Sequence, residues 1–197
     1  MTVRSDNKLQ IWGKKEDVIA FLKYIKGRDA YGTDCDFSLN RLYPVPHEAR
    51  RRGKRESLLW QRKHWGTYEI TGIKGDSLTI DVLPDRYGIQ LWFCTYDDPP
   101  IPWLEYICKR FRNIKFKLLW WMEDNYEVGM ASTLKDGTFF SDLIDETENP
   151  EEYEMMVNIW KNSLHFHADR MGMIENAELK AEILGQEWPV KQKVESF

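Results

Sequence analysis

The stretch LQIWGKKEDVIAFLKYIKG, residues 9–27, places a strand directly before a helix. Residues 9–12 form a short segment that is rich in strand formers, and Gly13 ends this segment. Apolar residues then recur with helical spacing over 18–25, which predicts an amphipathic helix with Gly27 as its C-cap. The fold is therefore expected to begin as a strand followed by a helix.

Strand signals dominate the middle of the chain. A second strand is expected at 37–41, where apolar and polar residues alternate until Pro44 and Pro46. After Pro99, Pro100 and Pro102, an apolar face over 103–111 predicts a second amphipathic helix. Further strands are expected at 67–71, 77–83, 89–95, 114–121, 126–133 and 137–143.

A third helix is predicted after Asn149, which fits an N-cap position and precedes Pro150 and two glutamates. Residues 174–184 are expected to form another short helix, and 189–197 a frayed tail. The order of elements is an α+β plan, βαββαβ with extra strands, in which two helices cover one face of an antiparallel sheet. We assign residues 1–148 to this domain, with a basic insertion at 47–64, and 149–197 to a C-terminal helical extension that packs on the free sheet face or exchanges between subunits.

Composition places the chain among ordinary soluble domains. It has 197 residues, of which 42% are hydrophobic and 30% charged. A run of about 20 apolar residues, which a membrane span needs, is missing from the sequence, so we expect a soluble protein of the bacterial cytoplasm. The three widely spaced cysteines do not suggest disulfides or a zinc knuckle.

Charge is distributed unevenly along the chain. Residues 41–63 carry eight Lys or Arg against two Glu, whereas residues 136–154 carry eight Asp or Glu and no Lys or Arg. The two segments can pair internally or be solvated, the basic one can bind a partner, or the acidic one can act as a decoy surface.

Short motifs resemble one family. Tyr43 and Pro44 precede Pro46, the basic segment leads to Trp65, Gly66 and Thr67, and residues 93–95 are soon followed by Pro99 and Pro100. Together these motifs resemble the YubB ferredoxin-like domain of uncharacterised phage and plasmid proteins, over roughly residues 9–143. The resemblance implies a ferredoxin-like fold and a mobile-genetic-element setting, and it implies no particular enzymatic activity.

Catalytic and metal-binding patterns are weak. His165, His167 and Asp169 match the start of a binuclear zinc motif, but position 170 is Arg. The run also falls at the end of a predicted helix, where residues two apart point away from each other. A nucleophile elbow and a glycine-rich phosphate loop are both missing from the sequence. Asp97 and Asp98 are interpreted as residues of a helix start. We therefore predict no metal, no cofactor and no catalytic residue.

The basic insertion is the best candidate for a binding site. Its cations could hold phosphates while Trp60 stacks on bases, or they could anchor a protein interface; alternatively, the segment is a solvated helix packed on the sheet. We predict a non-enzymatic phage or plasmid accessory protein that binds a host or element-encoded protein, with nucleic-acid binding as the alternative. The predicted contact residues are Arg50, Arg51, Arg52, Lys54, Arg55, Trp60, Arg62 and Lys63.

Overall fold

The computed structural model describes residues 3–28, 32–35, 37–69, 78–83, 86–134 and 137–162. The strands are β1 Arg4–Gly13, β2 Gly27–Arg28, β3 Asp34–Cys35, β4 Tyr68–Glu69, β5 Leu78–Leu83, β6 Arg86–Tyr96, β7 Lys115–Met122, β8 Glu127–Thr133 and β9 Phe139–Asp145. The helices are α1 Lys15–Ile25, α2 Leu39–Leu42, α3 His47–Arg51, α4 Lys54–Trp65, α5 Ile101–Arg110 and α6 Pro150–Asn162, with a 3₁₀ turn at Glu123–Asn125.

Within these ranges, seven strands form one antiparallel sheet in the order β4-β6-β1-β7-β8-β9, and β5 also pairs with β6. The first strand of the chain lies at its centre, with Leu9 opposite Leu91 of β6 and Leu118 of β7. The two short strands β4 and β5 pair with different parts of β6. The expected α+β class with an antiparallel sheet is confirmed.

One face of the sheet is covered by α1 and α5. Phe21 of α1 and Trp103 of α5 belong to the same buried cluster as Leu9, Leu91 and Leu118. The strands supply alternate residues to this cluster, as the two-residue period of a strand requires. Helix α5 is also bonded to α2, because the Trp103 indole donates a 3.1 Å hydrogen bond to the carbonyl of Leu39.

The opposite face of the sheet carries α6. Tyr153, Met156 and Val157 of this helix pack on Val128 of β8 and Ile144 of β9. The predicted start of the helix at Pro150 is confirmed, and the Asn149 side chain accepts a hydrogen bond from the N–H of Glu152, 3.4 Å away. The helix of the C-terminal extension therefore packs on the sheet of its own chain.

Two local predictions are wrong. Residues 39–42 form the short helix α2 rather than a strand, because the Ser38 side chain accepts a hydrogen bond from the Asn40 N–H and starts a helical turn. Gly27 is not the cap of α1, since the helix ends at Ile25 and Gly27 pairs with Cys35 in a two-residue ladder. The helix predicted at 174–184 and the tail at 189–197 lie outside the described residues.

No helix in the described part of the chain is both long and apolar enough to cross a membrane.

Candidate binding surface

The basic insertion folds as two helices joined by a tight turn. Gly53, between α3 and α4, has a φ of 112°, a left-handed conformation that glycine adopts without strain. Both parts of the segment are helical, α3 over His47–Arg51 and α4 over Lys54–Trp65. Every predicted cationic residue of the segment is exposed, and together they define the basic surface: Arg50, Arg51, Arg52, Lys54, Arg55, Arg62 and Lys63.

Two cations of the basic surface have partners within the protein. The Arg50 guanidinium donates a 2.8 Å hydrogen bond to Oδ1 of Asn40. Arg62 contacts two carboxylates at the start of α5, with Nη1 at 3.1 Å from Asp97 and Nη2 at 2.8 Å from Asp98. Both arginines therefore help to fix α3 and α4 to the rest of the fold.

The other five cations have no ion pair with any described residue: Arg51, Arg52, Lys54, Arg55 and Lys63. The acidic residues of 136–154 do not neutralise these cations, because no ion pair joins the basic surface to the described residues of that segment. Five like charges on one pair of helices create a positive potential that an anionic partner can use.

The aromatic residues of the segment contact one another and the protein. Trp60 stacks on His64, with ring centres 4.4 Å apart, and its ring centre lies 5.1 Å from that of Tyr43 and 5.9 Å from that of Trp65. Tyr43 in turn stacks at 3.8 Å on Tyr106 of α5. Trp60 is thus half-buried within an aromatic cluster and is not extended towards solvent.

A polar contact closes this cluster. The Tyr43 hydroxyl and Nδ1 of His64 are 3.1 Å apart, within hydrogen-bond distance. Burial, with a smaller contribution from the neighbouring charge of Lys63, lowers the pKa of His64. The neutral imidazole is therefore favoured, and His64 adds no charge to the basic surface near neutral pH.

The residues that carry the YubB resemblance lie together at one junction. Trp65 is fully buried and donates a 2.9 Å hydrogen bond to the carbonyl of Tyr43, while buried Thr67 donates a 2.6 Å bond to the carbonyl of Tyr96. Gly66 has a φ of 81°, and a Cβ placed there would lie 2.7 Å from Cδ of Pro102. Pro99 and Pro100 are buried beside them. These motif residues have a packing role at the junction of α4 and α5.

Burial disfavours the thiolate form of two of the three cysteines, Cys94 and Cys108. All three are free thiols. The Cys94 thiol donates a 2.9 Å hydrogen bond to the Asp6 carboxylate, and burial together with this bond raises the pKa of Cys94 to about 11. Within the described residues, no group of three or more His, Cys, Asp or Glu side chains could hold a metal ion. His165, His167 and Asp169 lie outside the described residues.

Sequence reasoning missed Tyr43 and Tyr106 as partners of the basic helices. The pair of Trp60 and His64 could have been found, because residues four apart on a helix are neighbours. Tyr43 and Tyr106 belong to a loop and to another helix, so their stacking depends on the tertiary fold.

Comparisons of the chain with models of protein families, with curated proteins and with solved structures gave no match. The resemblance to the YubB domain therefore stays a prediction.

Proposed function

We propose that this chain is a non-enzymatic accessory protein of a phage or plasmid that binds a protein, either one of the host, such as a component of a bacterial defence system, or one encoded by the element itself. The observation that carries this proposal is the set of five exposed cations on α3 and α4 without partners among the described residues. Such a surface favours a partner with an acidic patch, by electrostatic complementarity.

The proposal includes a ferredoxin-like unit, formed by β1, α1, β5, β6, α5 and β7. The strand order β7-β1-β6-β5, with every neighbouring pair antiparallel, supports it. Strands β8 and β9 extend this unit at one edge. The fold by itself specifies no function, so the functional proposal depends on the surface.

The aromatic cluster favours a protein partner over single-stranded nucleic acid. Proteins that bind single strands offer aromatic faces on which bases stack. One face of Trp60 is already stacked on His64, and Tyr43 is stacked on Tyr106. The surface thus offers charge and few open aromatic faces.

The test is affinity purification of the tagged full chain from bacterial lysate, before and after nuclease treatment. We compare the unaltered chain with the triple variant Arg51→Ala, Arg52→Ala, Arg55→Ala. The matched control is Lys14→Ala, Arg112→Ala, Lys115→Ala, which removes three exposed charges elsewhere. We expect a stoichiometric protein that survives nuclease, is recovered with the control and is lost with the basic-surface variant. Recovery of no protein, or equal recovery with both variants, would overturn the proposal.

Nucleic-acid binding is the second candidate, and the same five cations favour it. Binding to a duplex through its phosphates needs no base stacking, so the half-buried position of Trp60 does not weigh against it. It predicts a binding constant that falls steeply with salt concentration, and a smaller salt slope for the triple variant. An unchanged slope would reject it.

A further inference from the structure

Strand β9 is the last strand of the sheet in the described part of the chain, and its hydrogen-bonding pattern shows which groups face outward. The Leu134 N–H donates to the Thr138 carbonyl at 2.8 Å, and the Glu146 N–H donates to the Tyr126 carbonyl at 3.0 Å. In an antiparallel ladder, residues bonded to the partner strand alternate with residues whose main chain points away from it.

The two bonds involve Thr138 and Glu146, which flank β9 and are both even-numbered. The even-numbered residues of β9 are therefore the ones whose main chain is bonded to β8. The odd-numbered residues Phe139, Ser141 and Leu143 direct their N–H and C=O groups to the open edge. Among the described residues, no main-chain bond reaches these groups from another element. These three alternate residues give a template on which another strand can form hydrogen bonds.

This edge has few of the usual protections against strand pairing. Natural edge strands are commonly short, carry charged residues or Pro, or contain a bulge. Strand β9 has seven residues, FFSDLID, and its register with β8 runs without interruption. It has no Lys and no Pro, and its two charged residues are both acidic, so they disfavour an acidic strand and not a basic one. An edge of this length suits β-strand addition, in which an extended peptide joins a sheet.

A groove runs beside the edge. Ser141 and Leu143 line it on one side, and Pro99, Ile101 and Pro102 line it on the other, around a volume of about 400 Å³. Leu143 is 54% exposed, so an apolar side chain of a bound strand would find a partner there.

Trp120 also lines the groove and supplies a donor without an acceptor. Its side chain is only 2% exposed, and its indole Nε1–H has no hydrogen-bond partner in the described part of the chain. A buried donor left unpaired costs roughly 1–3 kcal/mol. Trp120 lies on β7, with β8 and β9 between it and the open edge, so this donor faces the groove and not a strand added beside β9.

The carboxylates near the edge of β9 favour a basic partner. Glu127 lines the groove, Asp142 is exposed on β9 and Asp145 ends the strand, and none of them is paired with a cation within the described ranges. A second copy of this chain, paired antiparallel through β9, would bring these carboxylates close to their own counterparts, which is destabilising. A segment with Lys or Arg would be attracted instead.

We propose that the open edge of β9 binds an extended segment of another protein, in which Lys or Arg alternates with apolar residues. The segment forms main-chain hydrogen bonds with Ser141 and Leu143. Its apolar side chains lie against Leu143 on the face of the sheet that carries α5, and its cations lie on the opposite face near Asp142. This site is separate from the basic surface, so it does not depend on the function proposed above.

The test measures binding of fluorescent nine-residue peptides to the full chain by anisotropy. We expect a peptide of alternating Val and Lys to bind at least about tenfold more tightly than its Val and Glu counterpart, a difference of about 1.4 kcal/mol. Two further peptides carry N-methyl groups, one on the odd-numbered and one on the even-numbered residues. Only one edge of the bound peptide faces β9, so we expect one of these peptides to lose binding and the other to keep it. Equal binding of the two charge types, or insensitivity to both patterns of methylation, would overturn the proposal.

Matched variants locate the site. Leu143→Pro removes an outward N–H without removing a bond to β8, whereas Leu143→Ala keeps that N–H and removes only the side chain. We expect loss of peptide binding in the first variant and retention within about threefold in the second, at similar melting temperatures. The basic-surface triple variant should bind the peptide normally. Normal binding by Leu143→Pro, or self-association of the chain through β9 without peptide binding, would refute the site.

Discussion

The ammonium group of Lys8 lies 3.9 Å from the centre of the Trp160 ring and donates a hydrogen bond to the main-chain carbonyl of Trp160. Lys8 is fully buried on β1, and Trp160 lies in the last turns of α6. A cation near the C-terminal end of a helix is favoured by the helix dipole. This contact joins the central strand to the helix on the opposite face of the sheet.

Replacement of Lys8 by Met should change the pH dependence of stability. Burial lowers the pKa of Lys8 from 10.5 to about 8. Between these values the unfolded chain holds a proton that the folded chain has lost, so folding becomes more favourable as pH rises. We expect the free energy of unfolding of the unaltered chain, relative to Lys8→Met, to rise with pH over this window by at most about 1.4 kcal/mol per unit. Urea titrations at several pH values measure it, and a difference that stays constant from pH 7 to 10 would contradict the expectation.

Cys94 should react slowly with thiol reagents in the folded protein. Its pKa is raised from 9.0 to about 11, mainly by burial and then by the hydrogen bond to Asp6. The thiolate fraction at pH 8 falls roughly a hundredfold, and the greater nucleophilicity of a high-pKa thiolate recovers part of that loss. In a Cys35→Ser, Cys108→Ser background, we expect labelling about tenfold slower than in the urea-unfolded chain. Equal rates would show that the thiol is accessible and ionised.

Gly129 should not tolerate a side chain. A Cβ at this position of β8 would lie 2.3 Å from the Asp142 carbonyl oxygen and 2.3 Å from Cζ2 of Trp120. We expect Gly129→Ala to destabilise the protein by about 2–3 kcal/mol through overpacking. Gly27→Ala is the control, because its Cβ would meet only the flexible Arg41 side chain, at 3.1 Å. Chemical denaturation compares the two, and equal stability losses would show that the clash at Gly129 is relieved.

Asn149 should contribute to the stability of α6. Its side chain accepts from the Glu152 N–H and donates to the Glu152 carboxylate at 2.7 Å, a reciprocal capping arrangement. We expect Asn149→Ala to lower the free energy of unfolding by about 1 kcal/mol. We expect Asn149→Ser, which keeps an oxygen acceptor for the Glu152 N–H without adding a charge beside the Glu152 carboxylate, to retain most of it. Thermal unfolding followed by circular dichroism distinguishes the variants. No loss in the alanine variant would mean that packing on β8 and β9 is sufficient to hold the helix.

Periodic patterns allowed much of the secondary structure to be predicted. The apolar run that ends in Trp121 identified β7, and Asn149 with Pro150 identified the start of α6. Local patterns failed where a single side chain or a distant contact decides the conformation. In α2, the Ser38 cap and the hydrogen bond from Trp103 to Leu39 overcome an alternating pattern that favours a strand.

The candidate sites also contain features that the sequence predicts and features that depend on the tertiary fold. The cations of the basic surface could be listed from the sequence, because exposed charge requires no tertiary partner. The pairing of Arg62 with Asp97 and Asp98 could not, since the two elements are distant in the sequence and meet only in the folded chain. The groove beside β9 could not be predicted either, because Trp120, Pro102 and Leu143 come from three separate elements.

The central position of β1 has a consequence for synthesis on the ribosome. This strand is made first, yet its partners on either side are β6 and β7, which end at residues 96 and 122. At about 5–20 residues per second, the nascent strand waits several seconds or more before both neighbours have been translated. During that interval Leu9 and Ile11, both fully buried in the finished protein, have neither strand beside them. We therefore expect mutations that slow translation between β1 and β7 to reduce the yield of folded protein more than mutations that slow it after α6.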